Sequence, residues 1–408
     1  MNGKKDIHIS DILFCVALII YLTSTILDCS VLVFSTNQIS FLGIITKLIR
    51  YISYGIFVIK FFYDAFYYRR IILYLAFLAI IVGLSYVFCM NKTMIFYLII
   101  FMGSINVPGE RILKVSCFTQ SILLFLLVVG SQLGIILDYV RADADRTRHF
   151  LGFSWTTTGA ILFLFIILQY IYLRHGELSW IETLAIILIS MFFYLMTDSR
   201  FAFAICVCSA LFFAMFKNLI NKGRITVLFK KILIIVPELV ALFAIAIHYF
   251  YNDSNPVYKR INSLLSGRLL LGRNAIKQYG IPLFGQKIEW IGYSISEKLK
   301  GEYNYVDCSY IQILLEYGLL FLIIVLAFYS LMIKKSIDNK QYYFTWILLI
   351  ILIFSVIEPR LLNLTFNPIP LLVVSGYNNL VEKHTRSYRF DVDIKKTFYY
   401  KEEKNETI

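Results

Sequence analysis

Charged residues are scarce in this chain. Asp, Glu, Lys and Arg make up 16% of its 408 residues, whereas soluble domains average roughly 25%. Hydrophobic residues make up 59%, and the mean hydropathy is +0.73. Because this composition leaves little room for a folded soluble domain, it predicts a single membrane-embedded domain instead of the several soluble domains that the length alone would suggest.

Several chemical motifs are also missing. The seven cysteines are odd in number and lie mostly within apolar runs, and their spacing fits neither a disulfide framework nor a zinc site. The five histidines do not cluster, and the chain has no phosphate-binding loop of the Gly-x4-Gly-Lys-Ser/Thr type. We therefore expect no metal, no cofactor and no ATP hydrolysis. We also recognise no internal repeat and no cleavable signal peptide.

What remains is a succession of apolar runs separated by short polar breaks. Only helices and closed barrels satisfy every backbone polar group inside lipid, and a spanning helix needs about 20 apolar residues. The predicted fold is therefore all-α, a polytopic transmembrane bundle of about 12 spans. The predicted spans are 11–34, 39–62, 71–89, 93–107, 115–138, 153–173, 178–197, 200–220, 229–251, 309–333, 342–357 and 361–378.

The distribution of positive charge predicts the orientation. The net charge of +13 would suggest nucleic-acid binding in a soluble protein, but Lys and Arg of membrane proteins collect in cytoplasmic loops. If the N-terminus is inside, every inner connection is basic and most outer ones are short with few charges. We therefore predict cytoplasmic N and C termini, a membrane domain over 1–380, a cytoplasmic tail over 381–408 and no nucleic-acid partner.

Two predicted outer segments are basic against this rule. One is 139–152, and the other is the long loop 252–308. The rule weakens for long loops but holds for one as short as 139–152, so an anionic partner is expected there. Within the long loop, apolar residues recur at helical spacing between 261 and 276, interrupted by Gly267 and Gly272. This pattern predicts an amphipathic helix on the outer membrane surface.

Three groups of basic side chains are candidates for binding that anion. Arg200 directly precedes a span, where it either anchors the helix at the interface or binds a diphosphate through its paired donors. Arg148 lies beside His149, which is either a general base or an ordinary solvated side chain. Arg268 and Arg273 bind either the same anion or lipid headgroups.

Acidic side chains at the same predicted face are the remaining candidates. Asp307 ends the long loop and Glu316 follows in the first turns of the next predicted span. A carboxylate at that depth is costly unless it is paired or hydrated, so Glu316 is expected to meet an Arg or a polar cavity. Structural pairing and catalysis both remain open for these two residues. Glu358 and Arg360 flank Pro359, and we expect them to form a structural ion pair.

The order and sidedness of five segments resemble the Wzy-type polymerases of bacterial O-antigen, capsule and exopolysaccharide, which share an architecture with O-antigen ligases. The segments are Arg148-His149-x-Leu-Gly-Phe153, Thr197-x-Ser-Arg200, Ser266-Gly267-Arg268, Asp307-x-Ser-Tyr310-x-Gln312-x-Leu-Leu-Glu316-Tyr-Gly318, and Glu358 with Asn363 and Asn367-Pro368. The chain departs from the family pattern at Ser154-Trp155, where a Pro-Asn pair is common, and at Cys308, where an Asn is common. These departures put individual polar contacts and sugar specificity in doubt.

The resemblance implies an enzyme of the bacterial cytoplasmic membrane, a metal-independent inverting glycosyltransferase. Its substrate would be a glycan on undecaprenyl diphosphate at the outer face, and its partners membrane lipid, a flippase and a chain-length regulator. Arg148, Arg200, Arg268 and Arg273 would hold the diphosphate and Tyr310 would contact substrate. His149, Asp307 or Glu316 would be the base. The alternatives are a ligase, which transfers finished glycan, and a flippase or transporter, a class that often shows internal repeats.

Overall fold

The computed structural model describes residues 9–35, 38–39, 41–65, 79–80, 82–83, 86–143, 146–222, 226–292, 294–295 and 303–375. Most of the predicted span 71–89 and the whole predicted tail 381–408 lie outside these residues. The described chain is mostly helical. Its first eight helices are α1 (Ile9–Asp28), α2 (Phe41–Ala65), α3 (Thr93–Ser104), α4 (Gly109–Gln132), α5 (Thr158–Leu173), α6 (Trp180–Thr197), α7 (Arg200–Lys222) and α8 (Val227–Tyr249).

The second half of the chain has shorter helices. They are α9 (Pro256–Leu264), α10 (Arg268–Tyr279), α11 (Ser309–Glu316), α12 (Leu319–Asp338), α13 (Tyr342–Phe354) and α14 (Leu372–Ser375). Two short antiparallel hairpins lie in the first half of the chain. Strands β1 (Phe34–Ser35) and β2 (Gln38–Ile39) pair between α1 and α2, and strands β3 (Val140–Asp143) and β4 (Arg146–His149) pair between α4 and α5. The helical part of the prediction is thus confirmed, and the hairpins are additions to it.

Seven of these helices, α1, α2, α4, α6, α7, α8 and α12, are long and apolar enough to cross a membrane. The apolar helices α3, α5 and α13 are shorter, at 10–17 residues. Large apolar side chains point outward from the bundle, among them Phe41, Ile181 and Val227, each more than 70% exposed. Such a surface suits lipid and not water. The chain is therefore a multi-pass helical membrane protein.

The predicted span 309–333 is two helices. Gly318 separates α11 from α12 with φ of 92°, a conformation that side chains rarely adopt. A Cβ there would also collide with the backbone of Gly285 and Leu283. The break lets residues 282–286 of the preceding loop pack directly against the chain, with Leu319 N–H donating to Pro282 O at 2.9 Å.

The predicted span 361–378 is wrong over its described part. Residues 355–368, which we call the closing segment, form turns and lead into a 3-10 helix at Ile369–Leu371. The segment is nevertheless buried, with Leu361 and Asn367 fully enclosed. Irregular backbone at membrane depth is stable only where protein surrounds it, and here helical side chains supply the donors. Gln120 on α4 donates to Thr365 O at 2.7 Å.

The amphipathic helix predicted in the long loop is also two elements. Ser266 and Gly267 both have positive φ, so α9 ends before them and α10 begins at Arg268. Helix α9 has no buried residue, whereas α10 packs on the bundle through Leu269 and Ile276. Only α9 therefore matches the predicted surface helix.

Candidate functional site

A cavity of about 480 Å³ opens where the helix ends of one side of the bundle meet. Its walls come from the ends of α1, α6 and α13, the starts of α5, α7 and α10, the β3–β4 hairpin, and the closing segment. Six arginines line it, Arg141, Arg146, Arg148, Arg200, Arg268 and Arg360, with four carboxylates, Asp28, Asp198, Asp307 and Glu358. Segments that are far apart in sequence thus place an excess of positive charge around one open cavity. We call it the arginine cavity.

The β3–β4 hairpin supplies half of the arginines. Arg141 pairs in register with Arg148, and Asp143 with Arg146. Successive side chains of a strand point to opposite faces, so Arg146 and Arg148 share one face and both line the cavity. The Arg141 guanidinium also lies 5.6 Å from the centre of the Trp155 ring, within the range of a cation–π contact.

The same alternation places His149 away from the cavity. Its Nδ1 lies 2.6 Å from Asp138 Oδ2, and Asp138 Oδ1 accepts from the backbone N–H groups of Phe150 and Leu151 at 3.0 and 2.8 Å. These contacts tie the exit of the hairpin to the connection between α4 and β3. His149 and Arg148 are adjacent in sequence but lie in different surroundings. Arg148 lines the cavity, and His149 contacts Asp138.

The turn between α6 and α7 positions Arg200. Asp198 ends α6 in the left-handed conformation, with φ of 49°, which Asp tolerates better than most residues. Its carboxylate accepts from Arg146 at 2.8 Å and from Arg200 Nε at 3.1 Å. Burial raises the pKa of Asp198, but the hydrogen bonds from Arg200 and Arg146 outweigh burial and lower it. Arg200 itself stays 68% exposed, so its guanidinium can reach a ligand in the cavity.

Arg268 connects the long loop to the opposite wall. It is the first residue of α10, and Asn262 on α9 caps that helix by accepting from Leu269 N–H at 3.0 Å. Arg268 Nε contacts Asp307 at 3.0 Å, and its Nη2 contacts Glu358 at 3.2 Å. Its Nη1 is buried with no hydrogen-bond partner. An unpaired buried donor of this kind is rare in proteins.

The surroundings of Glu358 in this cavity shift the pKa of its carboxyl. Burial raises the pKa of Glu358 to about 7, Arg268 opposes the rise and Asp307 adds to it. A carboxyl that titrates near neutral pH inside a cavity is a general-base candidate. The predicted ion pair between Glu358 and Arg360 is wrong, because Glu358 pairs with Arg268 and Arg360 lies over the Phe366 ring at 4.5 Å.

A smaller cavity of about 180 Å³ lies beside the arginine cavity. Tyr305, Pro359 and Arg360 line both spaces and form the wall between them. Glu316 lines the smaller one, accepting hydrogen bonds from the Asn91 side chain and from Trp290 Nε1, the latter at 2.9 Å. The sequence predicted that Glu316 lies either beside an Arg or in a polar cavity. In the structure, Glu316 lines a polar cavity. We call this space the Glu316 cavity.

The predicted site residues are thus divided. Arg148, Arg200, Arg268 and Asp307 converge in the arginine cavity, while Glu316 lines its neighbour. His149, Arg273 and Tyr310 line neither cavity. Tyr310 is fully buried in the core, where its hydroxyl donates to Leu352 O of α13 at 2.8 Å.

Sequence reasoning missed six charged lining residues of the arginine cavity as site residues, namely Asp28, Arg141, Arg146, Asp198, Glu358 and Arg360. The excess of arginine in 139–152 was a usable signal for two of them, once strand alternation had been applied. Arg360 had no such signal, since it lies in an apolar stretch that resembles a span. Among the described residues, no group of three His, Cys, Asp or Glu could hold a metal ion.

Comparison with protein-family models, with curated proteins and with solved structures finds no match for this chain.

Proposed function

We propose that the protein polymerises oligosaccharide repeat units carried on undecaprenyl diphosphate, at the outer face of a bacterial cytoplasmic membrane. The observation that carries the proposal is the convergence of Arg148, Arg200 and Arg268 from three distant segments into one cavity at one end of the bundle. A planar guanidinium offers paired donors that match phosphate oxygens. A lipid diphosphate would reach this cavity with its headgroup while its chain stayed in the bilayer.

The arginines act as an electrostatic clamp. They bind the diphosphate of the donor and stabilise the negative charge that develops on it as the leaving group. Arg200 is the exposed member of the clamp, Arg148 is half-buried, and Arg268 is mostly buried. A fixed cationic clamp of this kind could fulfil the role that a metal ion has in other phosphate chemistry.

Glu358 is the best placed base for the transfer, with Asp307 beside it. The ionised carboxylate takes the proton of the acceptor hydroxyl, and the hydroxyl oxygen forms a bond to the anomeric carbon of the donor. The bond from that carbon to the diphosphate oxygen breaks, its electron pair stays on the diphosphate, and the anomeric configuration inverts. Among the other predicted bases, His149 lines neither cavity, and Glu316 lies outside the cavity that would hold the anomeric carbon of the donor.

Orientation follows from charge. The end opposite the cavities carries Arg111, Arg174, Lys334 and Lys340 at helix termini, and basic residues favour the cytoplasmic side. The arginine cavity would then face outward, and the start of α1, where Asp11 pairs with Arg111, would lie on the cytoplasmic side. Membrane lipid surrounds the bundle, and a flippase that delivers substrate and a chain-length regulator are the expected protein partners.

The test is Arg200→Ala in cells, read as the length of surface polysaccharide and the identity of the lipid-linked glycan. The proposal predicts loss of long chains and accumulation of single repeat units. Polymer that accumulates on the carrier lipid would instead indicate a ligase. Normal chains at normal amount would refute the role of Arg200. Arg174→Ala is the control, because Arg174 makes a half-exposed ion pair with Glu182 at the opposite end and such pairs contribute little to stability.

A further inference from the structure

The Glu316 cavity has a chemistry unlike that of its neighbour. Its polar lining consists of hydroxyls and amides, from Thr93, Tyr97, Ser309, Gln312, Tyr317 and Asn363, with one carboxylate from Glu316. Among the described residues that line it, Arg360, shared with the arginine cavity, is the one cation. A second diphosphate would meet a carboxylate and one guanidinium there, so the cavity does not suit a strongly anionic ligand.

The carboxylate is held in a fixed direction. Asn91 donates to one of its oxygens and Trp290 to the other, and the backbone of Gln286 donates to Glu316 O at 3.0 Å. Each carboxylate oxygen can accept more than one hydrogen bond, so Glu316, which lines the cavity, can accept a further hydrogen bond from a ligand. Oriented acceptors beside amide donors are what a ligand rich in hydroxyl groups requires.

The aromatic residues of the lining add an apolar contribution. Tyr97, Tyr305 and Tyr317 each present a ring with a polar tip, which combines an apolar face with a hydrogen-bonding group. A sugar ring has the matching surface, since its C–H groups form apolar patches and its hydroxyls lie around the edge. The volume of about 180 Å³ is well below that of drug-sized sites, which start at about 300 Å³, and accommodates one ring.

We propose that the Glu316 cavity binds one neutral sugar residue of the acceptor glycan. The inference rests on the proposed function, because only the proposed transfer reaction makes the bound glycan an acceptor. The anomeric carbon of the donor must lie next to the diphosphate in the arginine cavity, so the attacking hydroxyl must enter from an adjoining space. The Glu316 cavity adjoins it across Tyr305, Pro359 and Arg360, next to Glu358, whose backbone carbonyl accepts from Ser309 Oγ at 2.7 Å.

The experiment measures sugar binding directly and without turnover. Purified full-length protein in detergent is titrated with free glucose, galactose, rhamnose and N-acetylglucosamine, with binding followed by saturation-transfer NMR and by tryptophan fluorescence. We expect saturable binding of at least one of these sugars. Gln312→Leu and Thr93→Val each remove hydrogen-bonding groups at nearly constant volume, and each should weaken binding about tenfold, the effect of losing roughly one hydrogen bond.

The matched control is Gln278→Leu, which removes the same amide from an exposed position of α10 outside both cavities. It should bind sugar like the unmodified protein. If none of the four sugars binds, or if Gln312→Leu and Thr93→Val bind as tightly as Gln278→Leu, the inference is wrong.

Two tryptophans locate the site even where a cavity variant does not fold. Trp290 contacts Glu316, whereas Trp155 lines the arginine cavity. A sugar-dependent fluorescence change that disappears in Trp290→Phe and persists in Trp155→Phe supports the Glu316 cavity. The reverse result places the sugar in the arginine cavity and overturns the inference.

Failure of this inference and failure of the proposed function give different results. Sugar binding that depends on Gln312, together with normal polysaccharide in Arg200→Ala cells, supports a sugar site and refutes the polymerase. Short chains in Arg200→Ala cells, together with unaltered sugar binding in Gln312→Leu, leave the polymerase standing and refute the sugar site.

Discussion

Arg268 organises the acidic side of the arginine cavity as a single residue. Its two nitrogens contact Asp307 at 3.0 Å and Glu358 at 3.2 Å, and its side chain is only 17% exposed. Without it, two carboxylates would face each other in a poorly hydrated space, which disfavours their joint ionisation. The residue that binds the diphosphate in our proposal therefore also sets the charge of the proposed base.

Replacing Arg268 should be more damaging than its modest number of contacts suggests. Arg268→Ala leaves two carboxylates unpaired, and breaking a buried ion pair from one side costs about 3–5 kcal/mol. Arg268→Lys retains the charge but lacks the planar fork that bridges both partners, so we expect intermediate stability and low activity. Thermal unfolding in detergent and surface polysaccharide length measure the two effects. Equal stability of Arg268→Ala and Arg174→Ala would contradict the structural argument.

The pH dependence of transfer should report Glu358. Burial raises the pKa of Glu358 to about 7, and only the ionised form can accept the proton of the acceptor hydroxyl. The rate of glycan transfer should therefore be low below that pH and should rise as the pH increases through about 7. Purified protein with lipid-linked repeat units, assayed between pH 5 and pH 9, measures the profile.

The variant Glu358→Gln tests whether Glu358 causes this pH dependence. It should abolish most of the activity and flatten the rise, because the amide cannot take up a proton. An unchanged profile in Glu358→Gln would transfer the role of base to Asp307 or to a group outside the cavity.

At the scale of elements, the β3–β4 hairpin sorts its side chains by strand alternation. Arg146 and Arg148 face the cavity, and their neighbours Thr147 and His149 do not line it. A sequence reading that treats adjacent residues as partners therefore fails here, although three arginines of the basic segment 139–152 do line the cavity. The residues were identifiable, but the face that each one presents depends on the register of the hairpin.

A pair of adjacent substitutions tests the alternation. Arg146→Ala should shorten the surface polysaccharide, because it removes a cavity cation and one partner of Asp198 at 2.8 Å. Thr147→Ala changes an exposed residue of the same strand and should leave chain length unchanged. Similar chain lengths in the two variants would contradict the assignment of faces.

The closing segment shows why one predicted span was wrong. Residues 361–378 are apolar, and hydropathy measures apolar character without distinguishing burial in protein from burial in lipid. The segment avoids helical structure because other side chains satisfy its backbone, among them Tyr329, which donates to Leu361 O at 3.0 Å. Tyr329 is more than thirty residues away from Leu361 in sequence, so no local sequence pattern predicts this hydrogen bond. The long spans were predictable because a segment surrounded by lipid must satisfy its own backbone hydrogen bonds, which a helix does.

Gln120 should be essential to that segment. Its amide donates to Thr365 O at 2.7 Å and to Phe366 O at 3.3 Å, and it accepts from Gln169 at 2.7 Å. Gln120→Leu leaves buried carbonyls without a donor, at a cost of about 1–3 kcal/mol, visible as a lower unfolding temperature in detergent. Gln132→Leu, at the exposed end of the same helix, is the control and should unfold like the unmodified protein.

The two ends of the whole molecule differ in the use of their charges. At the end opposite the cavities, some charges form pairs, such as Arg111 with Asp11 and Lys60 with Asp64, and Lys334 and Lys340 add positive charge there. At the cavity end, six arginines and four carboxylates of the described chain line a single cavity. The positive charge of that end is therefore concentrated around one space, where our proposal places the diphosphate.

Cysteine labelling tests which end faces outward. In a background with the native cysteines replaced, a membrane-impermeant maleimide should modify Lys259→Cys on α9 in intact cells. Glu177→Cys, exposed at the opposite end, should react only after the membrane is permeabilised. The opposite labelling pattern would invert the proposed topology and place the arginine cavity in the cytoplasm.

The position of the wall between the two cavities in the sequence determines when it can form during synthesis. Pro359 and Arg360 belong to the closing segment, whose backbone depends on Gln120 from α4 and Tyr329 from α12. A ribosome delivers α4 and α12 first, because synthesis runs from the N-terminus. The partition between the two cavities is therefore completed last, onto helices that have already been synthesised. Until that docking, Pro359 and Arg360 do not separate the two cavities, and a chain interrupted before residue 355 lacks both this part of the wall and Glu358.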